Sequence, residues 1–323
     1  MLKFFKDWML PIAIVLGIVS YMILYLVPAL AENVEPGFSV FAKNIQPVLM
    51  AIMLFLQFNK ISPHDLRFRK WHFVALVIQV VLFVVFAWVA VILPDGTGKI
   101  LAECAMLCFV CPTAAAAGGI TNKLGGSLSD TVSYVVLINV AAAFIIPLVI
   151  PLFNSSPDAT FFRSFSAICM KIFPLLVMPL LVAWLIRYTV RPLQRWLMRY
   201  ADWAFYVWGG ALTFAIYLAT RALVTSRISV WGAMLIALVS LACTLIQFAV
   251  GRAAGRMLAK DEEGSMSDAI TAGQALGQKN SGFLIWLGYS YLTPVTSVAG
   301  GLYSIWQNLI NSLELFENGH KKK

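Results

Sequence analysis

Long apolar stretches separated by short polar segments run along the whole chain. A transmembrane helix needs about 20 consecutive, mainly apolar residues, and on this basis we expect ten spans. Their approximate bounds are 8–30, 38–58, 71–94, 98–122, 127–152, 164–187, 202–223, 228–250, 266–288 and 291–314. The pattern predicts an all-α polytopic membrane protein, with a single transmembrane domain over residues 1–323.

Two of these spans contain a polar, small-residue interruption. The ninth includes Gln274-Ala-Leu-Gly-Gln-Lys-Asn-Ser-Gly282, and the fourth includes Cys111-Pro-Thr-Ala-Ala-Ala-Ala-Gly-Gly119. Irregular backbone at membrane depth is tolerated only where it is buried in protein or lines a cavity. We therefore expect both spans to be discontinuous helices.

The positions of the two interruptions indicate an internal repeat. If the chain is two halves of five spans, at about 1–160 and 161–323, the fourth and ninth spans correspond. An odd number of spans in each half gives the halves opposite topology, and matched broken helices in inverted repeats indicate a transporter's midplane binding site. The alternative is that Gly and Ala in these stretches only allow close helix packing.

Composition agrees with a membrane domain. Hydrophobic residues make up 60% of the chain and charged residues only 12%, whereas soluble domains carry about 25% charged residues. The start, Met1-Leu-Lys-Phe-Phe-Lys-Asp7, runs into a full-length apolar span without a small-residue cleavage site. We therefore expect a first helix and no removed signal peptide. The five cysteines lie in or near apolar spans, which argues against a disulfide scaffold.

The net charge of +9 could indicate a nucleic-acid partner, but the distribution of charge argues against one. Ten spans place every basic cluster and both termini on one side, which the positive-inside rule makes the cytoplasm. Ala31–Phe38 and Asn154–Thr160, on the other side, are poor in basic residues. We expect an integral protein of a bacterial inner membrane, in contact with lipid and not nucleic acid. The residues of these basic clusters are Lys3, Lys6, Lys60, Arg67, Arg69, Lys70, Arg187, Arg191, Arg195, Arg199, Arg252, Arg256, Lys260 and Lys321–Lys323.

The Cys111-Pro112 pair followed by small residues, together with Asn280-Ser281-Gly282, resembles the bile acid:sodium symporter family. The resemblance covers essentially the whole chain. It implies a panel formed by spans 1, 2, 6 and 7 and a core formed by spans 3–5 and 8–10, in which the broken spans 4 and 9 cross. It also implies that substrate binds between panel and core, which move relative to each other to give alternating access.

The same resemblance implies sodium sites, but most of their ligand positions have lost a side-chain oxygen. These positions fall on Gln79, Ala117, Gly118, Thr131, Val135, Ala275 and Lys279, of which only Gln79 and Thr131 keep one. Repulsion between Na⁺ and an ammonium about 4 Å away costs about 4 kcal/mol at an effective dielectric constant of about 20. We therefore expect no functional sodium site and no other cofactor or metal, while a proton remains a candidate coupling ion.

Lys279 is the most unusual residue of the ninth span, since a charge at membrane depth is costly and normally faces a cavity or a partner. Its ammonium could replace sodium, near Gln79 and the carbonyls of the broken helices. It could also carry a proton, because burial favours the neutral amine, or meet an anionic substrate directly. The alternative is that it snorkels to an interface.

Glu103 is the acidic residue that we expect to matter most, because it lies within the fourth span. It could compensate the charge of Lys279 or relay protons. Alternatively, it lies at the outer interface within reach of Lys99. Asp130 and Asp268, near helix starts, are expected to interact with helix dipoles.

Several uncharged polar residues complete the predicted site. Asn280 and Ser281 are expected to bind substrate or to hold the broken backbone, and Thr113 belongs to the facing segment. Gln274 and Gln278 could donate to a substrate carboxylate. Asn139 could line the crossing or form an interhelical hydrogen bond.

Cysteines and tryptophans at two other places have simpler interpretations. Cys104, Cys108 and Cys111 share one helix face and could hold a soft metal or arsenite, but a single face cannot surround a metal, so we expect packing. Trp71, Trp203 and Trp306 lie near span ends, where we expect interfacial anchors.

These features predict a secondary transporter of an organic anion, such as a bile acid-like carboxylate or a sulfonate. Lys279 and two converging helix N-termini would make the crossing positive. The alternative is a membrane receptor that binds a ligand on the same fold without transporting it. The sequence contains no paired carboxylates, zinc signature or nucleophile–base arrangement, so we do not expect an enzyme.

Overall fold

The computed structural model describes residues 2–114, 116–153, 160–226, 228–259 and 262–321. Ala115 of the fourth-span segment, most of the loop predicted at 154–160, Lys260, Lys322 and Lys323 lie outside these ranges. The α-helices are α1 (Leu2–Leu26), α2 (Pro28–Asn33), α3 (Glu35–Phe58), α4 (Lys70–Ile92), α5 (Thr97–Val110), α6 (Ala117–Leu124), α7 (Leu128–Val149), α8 (Phe161–Leu176), α9 (Met178–Thr189), α10 (Arg191–Arg199), α11 (Ala204–Thr225), α12 (Val230–Met257), α13 (Glu262–Gly277), α14 (Ser281–Tyr291) and α15 (Ser297–Lys321).

Six helices of the described chain are long and apolar enough to cross a membrane: α1, α3, α4, α7, α11 and α12. The pair α8 and α9, bent by 44°, makes a seventh candidate span. Pro179 at the start of α9 explains the bend, because proline has no N–H for the helical ladder and its ring displaces the preceding turn. The prediction of an all-α integral membrane protein is confirmed.

Two segments predicted as loops are helical. Residues 31–38 are largely covered by α2 and the start of α3, and each of these helices has a proline in its first turn. Proline is favoured there because its fixed φ suits the helix and its missing N–H would be unpaired anyway. Residues 191–199, predicted only as a basic loop, form α10.

The helices pack in two groups. In the first, which we call the α11 group, α1 and α3 flank α11, and α8 and α9 pack against α3. In the second, the α12 group, α4, α5, α13 and α15 pack against α12, while α6 and α7 pack on α13 and α14 packs on α15. Gly251 and Gly255 allow α12 to lie directly on α13, since a Cβ at either position would overlap the α13 backbone. Small residues spaced four apart commonly allow such close contact in membranes.

Trp71 is not the interfacial anchor that we predicted. Its side chain is 0% exposed and packs against the rings of His72 and Tyr134 at the base of α4 and α7. Trp203, in contrast, is 59% exposed, as an anchor requires. The difference follows from the neighbours of each helix, because α4 begins inside the α12 group.

Candidate functional site

The two broken helices meet at their breaks. The N–H of Ala114, between α5 and α6, donates to the carbonyl of Gln278 at 3.0 Å. The N–H of Asn280, between α13 and α14, donates to the carbonyl of Pro112 at 2.9 Å. The predicted discontinuities are therefore present, and each break supplies hydrogen-bond partners to the other, as buried backbone requires.

Thr113 and Lys279 form the centre of this contact, as an isolated antiparallel bridge. The Thr113 hydroxyl donates to the carbonyl of Ala275 at 2.5 Å, across the crossing. On the other side, Gln307 of α15 accepts from the Lys279 N–H at 2.7 Å and donates to the Lys279 carbonyl at 3.2 Å. The lysine backbone is thus held by one glutamine amide on the neighbouring helix.

Other buried polar side chains satisfy the remaining carbonyls near the breaks. The Tyr303 hydroxyl donates to the carbonyl of Gly277 at 2.7 Å, and the Gln79 amide donates to the carbonyl of Cys111 at 3.2 Å. Gln247 of α12 donates to the Tyr303 hydroxyl at 3.0 Å. These hydrogen bonds satisfy carbonyl groups that are not paired within a helix, and they therefore stabilise both breaks.

The Lys279 side chain is completely buried, with 0% exposure. Its Nζ has no hydrogen-bond partner among the described residues. Snorkelling to an interface is therefore excluded. The amine therefore makes no hydrogen bond to Gln79, whose carbonyl oxygen accepts from the Tyr134 hydroxyl at 3.0 Å. Burying a charge without a partner is expensive, so this amine is an unsatisfied group of the crossing.

Glu103 does not serve as the charge partner of Lys279. Its carboxylate is buried and accepts from the N–H of Thr293, at 3.2 Å, at the end of α14. Lys99, its other expected partner, forms an ion pair at 2.7 Å with Asp95, one turn earlier. The physical reason is distance, since Glu103 lies about 12 Å before the break at a rise of about 1.5 Å per residue.

Gln274 and Gln278 are already engaged with the chain itself. The Gln278 amide donates to the Gln274 carbonyl oxygen, and the Gln274 amide donates to the Glu314 carboxylate at 2.8 Å. The other Glu314 oxygen is paired with Arg252 of α12. Gln278, Gln274, Glu314 and Arg252 thus form a chain of contacts that runs from the break to α12.

Asn280 holds the broken backbone, one of its two predicted roles. Its side-chain oxygen accepts from the Phe283 N–H at 3.3 Å and caps the N-terminus of α14. Ser281, the first residue of α14, is buried. The interhelical bond predicted for Asn139 is wrong, since its amide donates to Val135 of its own helix at 2.7 Å.

The positions that would correspond to sodium ligands are buried but offer few free oxygens. Ala117 and Gly118 form the first turn of α6, and Val135 and Ala275 are buried in the α12 group. The Thr131 hydroxyl donates to its own helix, to the carbonyl of Ser127 at 2.9 Å. Within the part of the chain that the structure describes, no group of three or more His, Cys, Asp or Glu residues could hold a metal ion.

Of the two aspartates that were predicted to lie near helix starts, only one does. Asp130 lies in the first turn of α7, as expected, and also pairs with Arg69 at 3.1 Å. Asp268 does not lie at a helix start, because α13 begins earlier than predicted, at Glu262. The first residue of a helix is difficult to predict, particularly where the sequence there is polar.

The side of the crossing that bears α14 faces the α11 group. Gln46 of α3 donates to the carbonyl of Gly282 at 3.0 Å. Farther along α14, Arg221 of α11 donates to the Tyr289 hydroxyl at 3.0 Å and forms an ion pair with Glu35 at 2.5 Å. The two helix groups are therefore joined by polar contacts at α14.

Sequence reasoning missed the side chains that hold the crossing together. They share one signal, which is an uncharged polar or acidic residue within an apolar span. The missed residues are Gln46, Tyr134, Gln247, Tyr303, Gln307 and Glu314.

Comparison of the chain with known protein families finds no match, and comparison with curated proteins finds no significant relative. Function is therefore inferred from the geometry of the crossing.

Proposed function

We propose that the chain is a secondary transporter that carries an organic anion by alternating access. The observation that carries the proposal is the pair of broken helices joined through Thr113 and Lys279. Discontinuous helices that meet inside a membrane domain are a usual way for secondary transporters to build a midplane site, with helix N-termini directed at the substrate. Here α6 and α14 both begin beside the crossing.

We infer ten spans from the same helices. Besides the seven candidates, α5 with α6, α13 with α14, and α15 would each cross the bilayer. No half of a broken pair is long enough to cross alone, since the halves have 14 and 8, and 16 and 11 residues. The breaks then fall in the fourth span of each half, 1–160 and 161–323, as inverted repeats require. The positive-inside rule applied to the basic loops supports a bacterial inner membrane protein with both termini on the cytoplasmic side.

The two helix groups match the panel and core of a fold like that of the bile acid:sodium symporter family. The α11 group would be the panel and the α12 group the core, with substrate bound between them. The panel packs on α14 through Gln46 and Arg221, whereas α13 packs mainly on α12, α6 and α7. Such an asymmetry is expected of a carrier that is closed at the α14 end and opens at the α13 end.

Lys279 takes the role of the coupling ion in this proposal. Its backbone is held by Gln307, a core residue, and its amine is buried. A covalently fixed cation at this place removes the need for sodium, and the lack of a side-chain oxygen at Ala275 agrees with that loss. Transport would then be uniport, exchange or proton-coupled.

The unpartnered amine also supports an anionic substrate. A buried ammonium without a counter-charge is unfavourable, and an anion bound at the crossing would supply that charge. The N-terminus of α14 adds a partial positive charge of about half an elementary charge. A carboxylate or sulfonate matches this field, while the apolar panel suits a hydrophobic body.

The test begins with a thermal-shift screen of organic carboxylates and sulfonates, taurocholate included, on the purified protein. A stabilising compound is then radiolabelled, and its uptake into proteoliposomes is measured with and without a sodium gradient. We expect saturable uptake that does not change when sodium is replaced by choline. Strong dependence on sodium would contradict ion replacement.

Two variants make the test specific. Lys279→Gln should weaken anion binding at least tenfold, whereas Lys123→Gln, which removes an exposed charge on α6, should not. Unchanged affinity of the Lys279 variant would argue against a role of its charge. Binding without any uptake would instead favour a non-transporting receptor on the same fold.

A further inference from the structure

The short helix α10 has no part in the proposed transport mechanism. It follows α9 directly and precedes α11, so it lies at the end of two apolar helices. It packs mainly against α9 and the turn that follows it, and none of its residues is buried. A helix this short is marginal in water on its own, so another surface must stabilise it.

The helix has one basic and one apolar face. At 100° per residue, Arg191, Arg195 and Arg199 fall within about 80° of arc. Leu193 and Trp196 point to the other side, where they are 39% and 51% exposed. A short helix with arginines on one face and leucine and tryptophan on the other is typical of helices that lie in the membrane interface.

Aromatic side chains extend the apolar face beyond the helix. Tyr200 packs on Trp196 with ring centroids 4.8 Å apart, and on Trp203 at 6.3 Å. Tyrosine and tryptophan concentrate at the headgroup level of bilayers, so this surface has the composition of an interfacial anchor.

A basic hollow lies where α9 passes into α10. Its volume is about 480 Å³, and it is lined by Arg187, Tyr188, Arg191, Gln194 and Arg195. Arg187 also donates to the carbonyl of Asn59 at 3.2 Å, which ties the hollow to the loop after α3. Among the described residues, Arg191 and Arg195 form no ion pair with a carboxylate.

We propose that this hollow binds the phosphate headgroup of an anionic phospholipid while the apolar face of α10 lies among the acyl chains. Arginine guanidinium groups donate to phosphate oxygens in bidentate geometry, and Tyr188 and Gln194 offer further polar contacts. The occupant is a lipid and not a soluble phosphate, because the apolar face beside the hollow needs a hydrophobic partner. The site is separate from the helix crossing, so it does not depend on the proposed transport.

The experiment measures retained lipid by native mass spectrometry of the detergent-purified full chain. The probes are phosphatidylglycerol, phosphatidylcholine and inorganic phosphate. We expect phosphatidylglycerol to bind with clear preference over phosphatidylcholine. Arg191→Gln with Arg195→Gln should weaken its binding about thirtyfold, since each basic residue near an anionic surface contributes about 1 kcal/mol and about 1.4 kcal/mol is tenfold.

Arg67→Gln with Lys70→Gln is the matched control, because it removes two exposed charges outside the hollow. This control should keep the affinity of the native protein. The proposal is overturned if phosphatidylcholine binds equally well, if the Arg191 and Arg195 variant keeps its affinity, or if the control loses as much. Displacement of lipid by millimolar inorganic phosphate, with equal thermal stabilisation, would identify a soluble anion site and also overturn it. A thermal midpoint close to that of the native protein verifies that both variants fold.

Discussion

Thr113 and Lys279 face each other across an antiparallel backbone bridge that joins two broken helices. This bridge brings a lysine into a fully buried position, with its backbone bonded to Gln307 and its amine left without a partner. The local arrangement thus combines hydrogen-bonded main-chain groups with a buried amine that has no partner. That contrast is unusual for a structural contact and underlies the first prediction.

Replacing Lys279 by methionine should stabilise the protein. The substitution keeps an unbranched side chain that fits the same space and removes a buried polar group that lacks a partner. The expected gain is about 2 kcal/mol in the free energy of unfolding, seen as a rise of the thermal midpoint in detergent. Anion binding should be lost at the same time.

The control for this prediction is Lys123→Met, since Lys123 is exposed on α6. Its thermal midpoint should stay within a degree or so of that of the native protein. A marked loss of stability in the Lys279 variant would mean that the amine has a favourable partner in the folded protein.

Asn280 should stabilise the start of α14 through its side-chain oxygen, which accepts from the Phe283 N–H. Replacing an N-cap asparagine by alanine costs about 1 kcal/mol, while serine keeps an acceptor. We therefore expect Asn280→Ala to lower the stability of the substrate-free protein and Asn280→Ser to retain most of it.

Asn122→Ala, at an exposed position of α6, serves as the comparison for this pair. Equal losses in the alanine and serine variants of Asn280 would show that its capping bond contributes little. A serine variant that is stable but binds substrate poorly would assign the amide a direct contact as well.

Glu314 and Gln274 should be energetically coupled, because the Gln274 amide donates to the Glu314 carboxylate at 2.8 Å. A double-mutant cycle with Glu314→Gln and Gln274→Ala should give a coupling energy of about 1–3 kcal/mol. Chemical or thermal denaturation of the four proteins in detergent measures it. In the reference cycle, Glu314→Gln is combined with Asn308→Ala, whose amide bonds only within its own helix. That pair should be additive, and a coupling near zero in the first cycle would contradict the structure.

The contact between Arg221 and Tyr289 should hold the two helix groups together at the α14 end. Tyr289→Phe removes this hydrogen bond and leaves the ion pair of Arg221 with Glu35. A hydrogen bond to a charged group contributes about 1.5–3 kcal/mol, so a carrier should shift at least about tenfold toward the state that is open at this end.

The shift can be measured by the labelling rate of Ser281→Cys with a membrane-impermeant maleimide, added outside the cell. Cys169 is replaced by alanine beforehand, because the other four cysteines are buried. Tyr25→Phe, which alters an exposed tyrosine of α1, is the control. An unchanged labelling rate in the Tyr289 variant would show that the contact does not close the protein.

Most of the helical content followed from local sequence. Apolar runs and breaks depend on residues that are neighbours in the chain, so the interruptions at 111–119 and 274–282 were predictable. Helix α10 was missed because its apolar face is only a few residues long and its arginines were considered as loop charges. An amphipathic pattern over 191–199 was the signal that could have identified it.

An all-α membrane protein, the two breaks and the lysine at one of them could all be predicted from the sequence. The contacts of each polar side chain could not, because they depend on how the helices pack. Gln274 meets Glu314, and the Lys279 backbone meets Gln307, because α15 packs against α12 and α14 beside the crossing. Such pairings depend on helix packing between segments that are distant in sequence, and no local pattern encodes them. The burial of the Lys279 amine without a partner is likewise a consequence of this packing.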